Sequence, residues 1–157
     1  MNCLRCVTAD EIDGRDVFFD SFQQDYPGFD EWFGKCQRDQ RIAWIVDRGC
    51  QAGTARVAGL CLVHAGNAHG YGWPGRALKI CSLKVDLQGG EALGKILVQK
   101  AVHHGLLNAC GSVFCEVLPR HARLIALLMK MGFSPQKPSG KGEMVLRRLL
   151  PTVEPLP

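Results

Sequence analysis

The residues from Leu78 to Ala101 constrain this chain more than any other stretch, because an apolar run there turns through glycines into an amphipathic one. Leu78 to Val85 carries Leu, Ile, Cys and Val without a breaker, which predicts a buried strand. Beyond Gly90, apolar side chains recur at Leu93, Ile96, Leu97 and Ala101, the spacing of one helix face, and the helix is expected to end near Gly105. Gly89, Gly90 and Gly94 therefore fall where a strand becomes a helix. The first N–H groups of such a helix lack partners within it, and the positive end of its dipole stands behind them. An anion site is expected there, with a phosphate as its usual guest.

Two phosphate-binding patterns compete at this turn. Gly89 to Lys95 spells G-x-x-x-x-G-K, but the next residue is Ile96, where a nucleotide P-loop needs a hydroxyl for magnesium. The six residues Gly89-Gly90-Glu91-Ala92-Leu93-Gly94, preceded by Gln88, resemble instead the pyrophosphate loop of the GNAT superfamily of acetyl-CoA-dependent N-acyltransferases, written Q/R-x-x-G-x-G/A. The match is close at Gly90, Leu93 and Gly94. It departs at Gly89 and Ala92, where the family commonly has a basic residue or Gln and a Gly.

Composition narrows the setting. A chain of 157 residues with 46% hydrophobic residues can bury a core, and one domain over residues 1–150 is expected, followed by a fraying tail from Pro151 to Pro157. No apolar run is long enough to span a membrane, and no leader pattern opens the chain. Of the eight cysteines, Cys61, Cys81 and Cys115 sit inside apolar runs as small core residues would. Cys3-x-x-Cys6 is a lone pair without a second pair at zinc spacing, so no metal site is expected. A reducing, cytoplasmic setting follows from this cysteine usage. The net charge of +4 conceals an acidic front: residues 1–31 hold eight acids against Arg5 and Arg15, and the rest is strongly basic. A basic body suits a polyanion such as coenzyme A, and an acidic front suits a cationic amine. Each acid taken singly is equally well read as part of a solvated face.

Along the chain, Asn2–Val7 reads as a strand and Thr8-Ala9-Asp10-Glu11 as a capping box opening helical turns through Phe22. The aromatic segment from Val17 to Phe33 is broken at Pro27-Gly28, and a second helix is expected from Asp30 to about Arg38. Its aromatics are read as a face packing on a sheet, in preference to the lining of a substrate cleft. Arg41–Asp47 and Arg56–His64 form a predicted hairpin, and Asn67–Ala77 is read as irregular. After the central unit come a strand over Ser112–Leu118, a helix over Arg120–Met131 closed by Gly132, and a last strand over Glu143–Leu149.

This β-α-α-β-β-β-α-β-α-β order is the second resemblance to the GNAT fold, and it covers nearly the whole chain. It implies an α+β architecture with a mixed, mostly antiparallel sheet whose fourth and fifth strands splay apart between helices. The aromatic front also resembles GNAT domains that occur beside PIN-type or ASCH modules. The resemblance further implies acetyl-CoA (or coenzyme A) as cofactor and an amine as acceptor. The pantetheine arm would pair with backbone groups at Leu83, Lys84 and Val85. Backbone N–H groups of Gly90, Glu91, Ala92, Leu93, Gly94 and Lys95 would hold the pyrophosphate, with Lys95 either adding a charge or standing solvated. The family often carries a tyrosine in its fourth helix to protonate the leaving thiolate, and that position is Leu128 here. Glu116, a carboxylate in an apolar strand, is the candidate base, with a solvent-facing or arginine-paired carboxylate as the alternative. His121 at the helix start is a second acid–base candidate.

The expected function is thus N-acetyl transfer from acetyl-CoA to a primary amine of a small molecule, peptide or protein. The alternative is a catalytically weak, acyl-CoA-binding regulatory domain acting through a partner, which the leucine at the tyrosine position favours. Nucleic-acid binding ranks last, because no run of lysines interleaved with aromatics occurs. A membrane partner is not expected, and a homodimer is left open.

Overall fold

The protein, seen as a computed structural model, is described over residues 2–48, 56–86, 90–138 and 140–151. Its strands are β1 (Asn2–Thr8), β2 (Ile42–Arg48), β3 (Arg56–Asn67), β4 (Arg76–Val85), β5 (Ser112–Val117), β6 (Ser134–Pro135) and β7 (Met144–Leu149). Its helices are α1 (Asp20–Asp25), α2 (Phe29–Arg38), α3 (Gly90–Leu107) and α4 (Ala122–Lys130). The strands make one mixed sheet in the order β1-β2-β3-β4-β5-β7-β6, antiparallel throughout except where β4 and β5 run parallel. This is the expected α+β mixed sheet, and it is the GNAT fold. Of the expected tail, only Pro151 lies within the described residues.

Period-2 and period-3.6 patterns divide the core into two layers. Beneath α3 and α4, Leu97, Val98, Ala101 and Leu128 pack on Leu78, Ile80, Val113 and Leu146 of the sheet. On the opposite face the aromatic segment covers Ala43, Ile45, Leu60 and Leu62 with Phe18, Phe19, Phe29 and Phe33. Phe19 and Phe33 lie 5.2 Å apart between ring centroids, and Phe22 stacks on Phe29 at 5.3 Å. Each fully buried ring contributes about 1.5–3 kcal/mol relative to exposure. The aromatics are therefore the packing face that their spacing suggested.

Local structure refines three of the expected segments. The helical turns expected through Phe22 are two 3-10 turns, Ala9–Glu11 and Val17–Phe19, followed by α1. Aspartates there bond the backbone instead of letting a helix run: Asp13 accepts from Arg15 N–H at 3.0 Å, and Asp16 from Phe18 at 3.0 Å and Val57 at 3.1 Å. Thr8 still donates its N–H to Glu11 at 2.8 Å. Asn67–Ala77 is irregular over residues 68–75 apart from a 3-10 turn at His69–Tyr71, while its ends join the sheet, since β3 and β4 pair as far as Asn67 and Arg76. Finally, α4 closes as expected on Gly132, at φ 88°, with Phe133 N–H reaching back to Leu128 at 3.1 Å.

Candidate active site

The site grows out of one irregularity in β4. Ser82 pairs with Leu62 and Ile80 with Val63, so Cys81 is an extra residue, a bulge that bends the strand. The parallel pairing of β4 with β5 stops at the same place, its last pair being Ile80 with Cys115. Both strands continue, β4 to Val85 and β5 to Val117, so they part into a fork. Asp86 N–H donates to Ala58 of β3 at 2.8 Å. Backbone groups alternate sides along a strand, so Val85 and Leu83 turn theirs toward the open fork, whereas those of Lys84 turn toward β3.

Past the fork, α3 begins. A side chain at Gly90 would meet Val85 Cγ1 at 3.3 Å, so the missing Cβ lets the helix start sit against the strand end. The turn residues 87–89, including Gln88 and Gly89 of the expected loop, lie outside the described residues. Ala92 is exposed, Leu93 packs partly on the core, and Glu91 binds Lys130 at 3.0 Å and Lys95 at 3.8 Å. Lys130, then Lys95, holds the Glu91 carboxyl below its usual range. Two cations against one carboxylate leave the helix entrance positive, which suits a diphosphate. Gly94 serves a different purpose: a Cβ there would stand 2.8 Å from Leu127 Cδ2, so it sets how closely α4 approaches α3.

Lys84, a candidate cofactor contact, directs its ammonium away from the fork. It donates to Phe18 O at 2.6 Å and Ser21 Oγ at 2.8 Å, and lies 4.5 Å from the Phe18 ring centre. Its side chain pins the aromatic layer to β4.

Glu116 stands on β5 one residue beyond the last paired position, at the base of the fork. Its side chain is 13% exposed, neither solvent-facing nor bound to arginine. Lys79 Nζ from β4 lies 3.7 Å away, and the Tyr71 hydroxyl donates a short hydrogen bond to Oε1. Tyr71 stacks on Trp73 at 4.7 Å and leans on Phe114 at 4.8 Å, while the Arg147 guanidinium covers the Trp73 ring at 4.2 Å. Burial, then the Glu116 hydrogen bond, raises Tyr71 far above the ordinary phenol range. Burial and the charge of Glu116 raise Glu143. Tyr26, closing α1, is raised by burial, then by Glu143 and Asp25.

His121 caps α4 and faces Asp25 Oδ2 at 3.5 Å, beside an Arg120–Asp25 ion pair. The structure thus joins His121 to the end of α1 and Glu116 to Tyr71 and Lys79. Leu128, at the position where the family's tyrosine would fall, is fully buried in the core. Sequence reasoning assigned nothing to Tyr71 or Lys79. The available clue was a lysine inside one apolar strand, Lys79, and a lone carboxylate in the next, Glu116, with an aromatic pair in the glycine-rich loop before the first.

Among the described residues no helix is long and apolar enough to cross a membrane, and no group of three His, Cys, Asp or Glu could hold a metal. No model of a known protein family matches the sequence, and neither does the sequence of any curated protein. Solved structures do match in shape. Arabidopsis thaliana NAA60, bound to a bisubstrate analogue, superposes with a TM-score of 0.67 at 15% identity, over 94% of this chain and 95% of that one. A chain of the NatC complex bound to Gag peptide and CoA gives 0.65 at 15% identity, over 94% and 99%. The ribosomal-protein-S18-alanine N-acetyltransferase from Escherichia coli gives 0.63 at 16% identity, over 98% and 97%.

Proposed function

We propose that this chain is an acetyl-CoA-dependent N-acyltransferase whose acceptor is a primary amine. The observation that carries the reading is the coincidence, at one fork, of unpaired strand edges, a helix start and a shielded carboxylate. The residues present fit coenzyme A. Leu83 and Val85 offer backbone groups to an amide-bearing arm, as a missing strand would. The first N–H groups of α3, from Gly90 to Leu93, with the Lys95 and Lys130 side chains alongside, suit a diphosphate, whereas the N–H groups of Gly94 and Lys95 bond within the helix. Acetyl-CoA supplies an acyl group already activated as a thioester.

The acceptor enters from the sheet face that carries Glu116, between the end of α1 and the Tyr71 loop. Glu116, Glu143 and Asp25 supply carboxylates there, alongside Lys79, Arg120 and Lys141, so an amine arriving protonated meets carboxylate partners. Glu116 Oε then accepts a proton from the reacting nitrogen. Lys79, 3.7 Å away, and the Tyr71 hydroxyl keep that carboxylate aimed. Holding nitrogen and carbonyl in line supplies much of the acceleration. NAA60 was solved with a bisubstrate analogue and NatC with a peptide and CoA, and a peptide amine is the first acceptor to try.

The test is calorimetry with CoA followed by thiol release from acetyl-CoA across a panel of peptide and small-molecule amines. Micromolar CoA binding with amine-dependent thiol release is expected. Absence of CoA binding would overturn the reading, and binding without release from any amine would favour a regulatory acyl-CoA-binding domain.

A further inference from the structure

A thiolate that leaves a thioester needs a proton, and the α4 position where the resemblance would place its donor holds Leu128, fully buried among apolar side chains. The chain has two tyrosines, and one of them, Tyr71, is hydrogen-bonded to the candidate base. We propose that Tyr71, reaching in from the β3–β4 loop, gives the departing sulfur its proton and is recharged by Glu116; this rests on the acyltransferase reading above.

The loop that carries Tyr71 is built to hold it. Tyr71 and Trp73 both donate N–H to Ala68 O, at 3.0 and 3.2 Å, and Ala68 donates back to Gly75 O at 3.2 Å. Gly72 and Gly75 take φ of 75° and 77°, a conformation that other residues rarely adopt, and this closes the loop tightly. Ala68, Ala77, Phe114 and Val145 form a small core under Trp73, and Arg147 covers its outer face. A ring held on one side by stacking and at its tip by Glu116 has one hydroxyl direction. That direction is the fork, where β5 leaves β4.

The proton count balances. An amine that arrives protonated first gives its extra proton to water; the neutral nitrogen then bonds to the carbonyl carbon, the carbon–sulfur bond breaks, and its electron pair goes to sulfur. The nitrogen gives one proton to Glu116, Tyr71 gives its phenolic proton to sulfur, and Glu116 returns its proton to the Tyr71 oxygen. Amine and thioester become amide and thiol, and both side chains finish as they began. A free phenolate is costly beside a carboxylate in a half-buried site, so the donation and the recharge are coupled.

The experiment uses Tyr71→Phe, which keeps the stacked ring and removes only the hydroxyl. Calorimetry compares CoA with desulfo-CoA, which lacks the sulfur. Wild type is expected to prefer CoA by about 5-fold, the worth of one modest hydrogen bond, and Tyr71→Phe to bind both alike. With an accepted amine, kcat from acetyl-CoA should fall by about 10²–10⁴-fold in Tyr71→Phe, with KM unchanged. With p-nitrophenyl acetate, whose leaving group is stable as an anion at neutral pH, the loss should stay within about 3-fold, as no proton is needed. Equal losses with both donors, or equal CoA preference in both proteins, would overturn the role of Tyr71 alone. Wild type that binds neither CoA nor desulfo-CoA would overturn the acyltransferase reading and this role with it. The calorimetric comparison decides even where no amine of the panel is accepted.

Discussion

Gly94 of α3 lies so close to Leu127 of α4 that a Cβ on the glycine would stand 2.8 Å from Leu127 Cδ2. The glycine that resembles a phosphate-loop residue is thus also the contact that seats one helix on the other. Gly94→Ala gains about 0.5–1 kcal/mol of helix propensity but crowds a buried leucine at about 1–3 kcal/mol. A net loss near 1 kcal/mol is expected by chemical denaturation. In a Leu127→Ala background, itself costing about 2–4 kcal/mol, the same change should become stabilising, because the obstructing methyl is gone.

Lys84 joins the aromatic layer to β4 through Phe18 O, Ser21 Oγ and the Phe18 ring. Lys84→Met keeps the aliphatic stem and removes the donors. A stability loss of about 1–3 kcal/mol is expected, since a part-buried carbonyl loses its charged partner. Because α1 borders the acceptor side, KM for the amine should rise several-fold while CoA affinity changes little. Calorimetry and steady-state kinetics on the same preparation check both.

Glu116 and His121 should separate cleanly. Glu116→Gln preserves shape but cannot accept the proton, so kcat should drop by about 10²–10⁴-fold with CoA affinity kept. His121→Ala removes a contact to Asp25, 3.5 Å away, and should cost no more than about 5-fold, the scale of an exposed pair. A loss for His121→Ala as large as that for Glu116→Gln would move the base to the helix start.

Stability should fall at both ends of the pH scale. Burial pushes the Cys115 thiol up to about 12 and Cys81 up to about 11. As pH rises past about 9 the unfolded chain sheds thiol protons that the folded chain retains, so the melting temperature should decline there. Cys115→Ala should flatten that decline. Burial holds His64 and His104 below their ordinary value of 6.5, and His104 sits edge-on to Trp44 at 5.4 Å. Below about pH 6.5 the unfolded chain gains protons that these imidazoles resist, and stability should fall again. Scanning calorimetry from about pH 5 to 11 reads both limbs.

Local pattern made most of the architecture legible. The apolar run at Leu78–Val85, the period after Gly90 and the aromatic face from Val17 to Phe33 each report their own segment's geometry, and all three took the expected form. Detail inside segments was less legible: Asp13 and Asp16 bond the backbone and break the helical stretch into 3-10 turns, and hairpin pairing draws the ends of the glycine-rich stretch into the sheet at Asn67 and Arg76.

The candidate site was legible only in halves. Glu116 stands out as a carboxylate in an apolar strand, but its partners lie far off in the chain, Tyr71 by 45 residues. The sequence by itself determined the order of the main elements, all but the two-residue β6, because periodicity is a property of neighbours along the chain. Only the tertiary structure decided that Cys81 would bulge, that β4 and β5 would part at Ile80 and Cys115, and that Tyr71 and Lys79 would meet Glu116 there. Those outcomes depend on strand register, and register is set by packing both faces of the sheet at once.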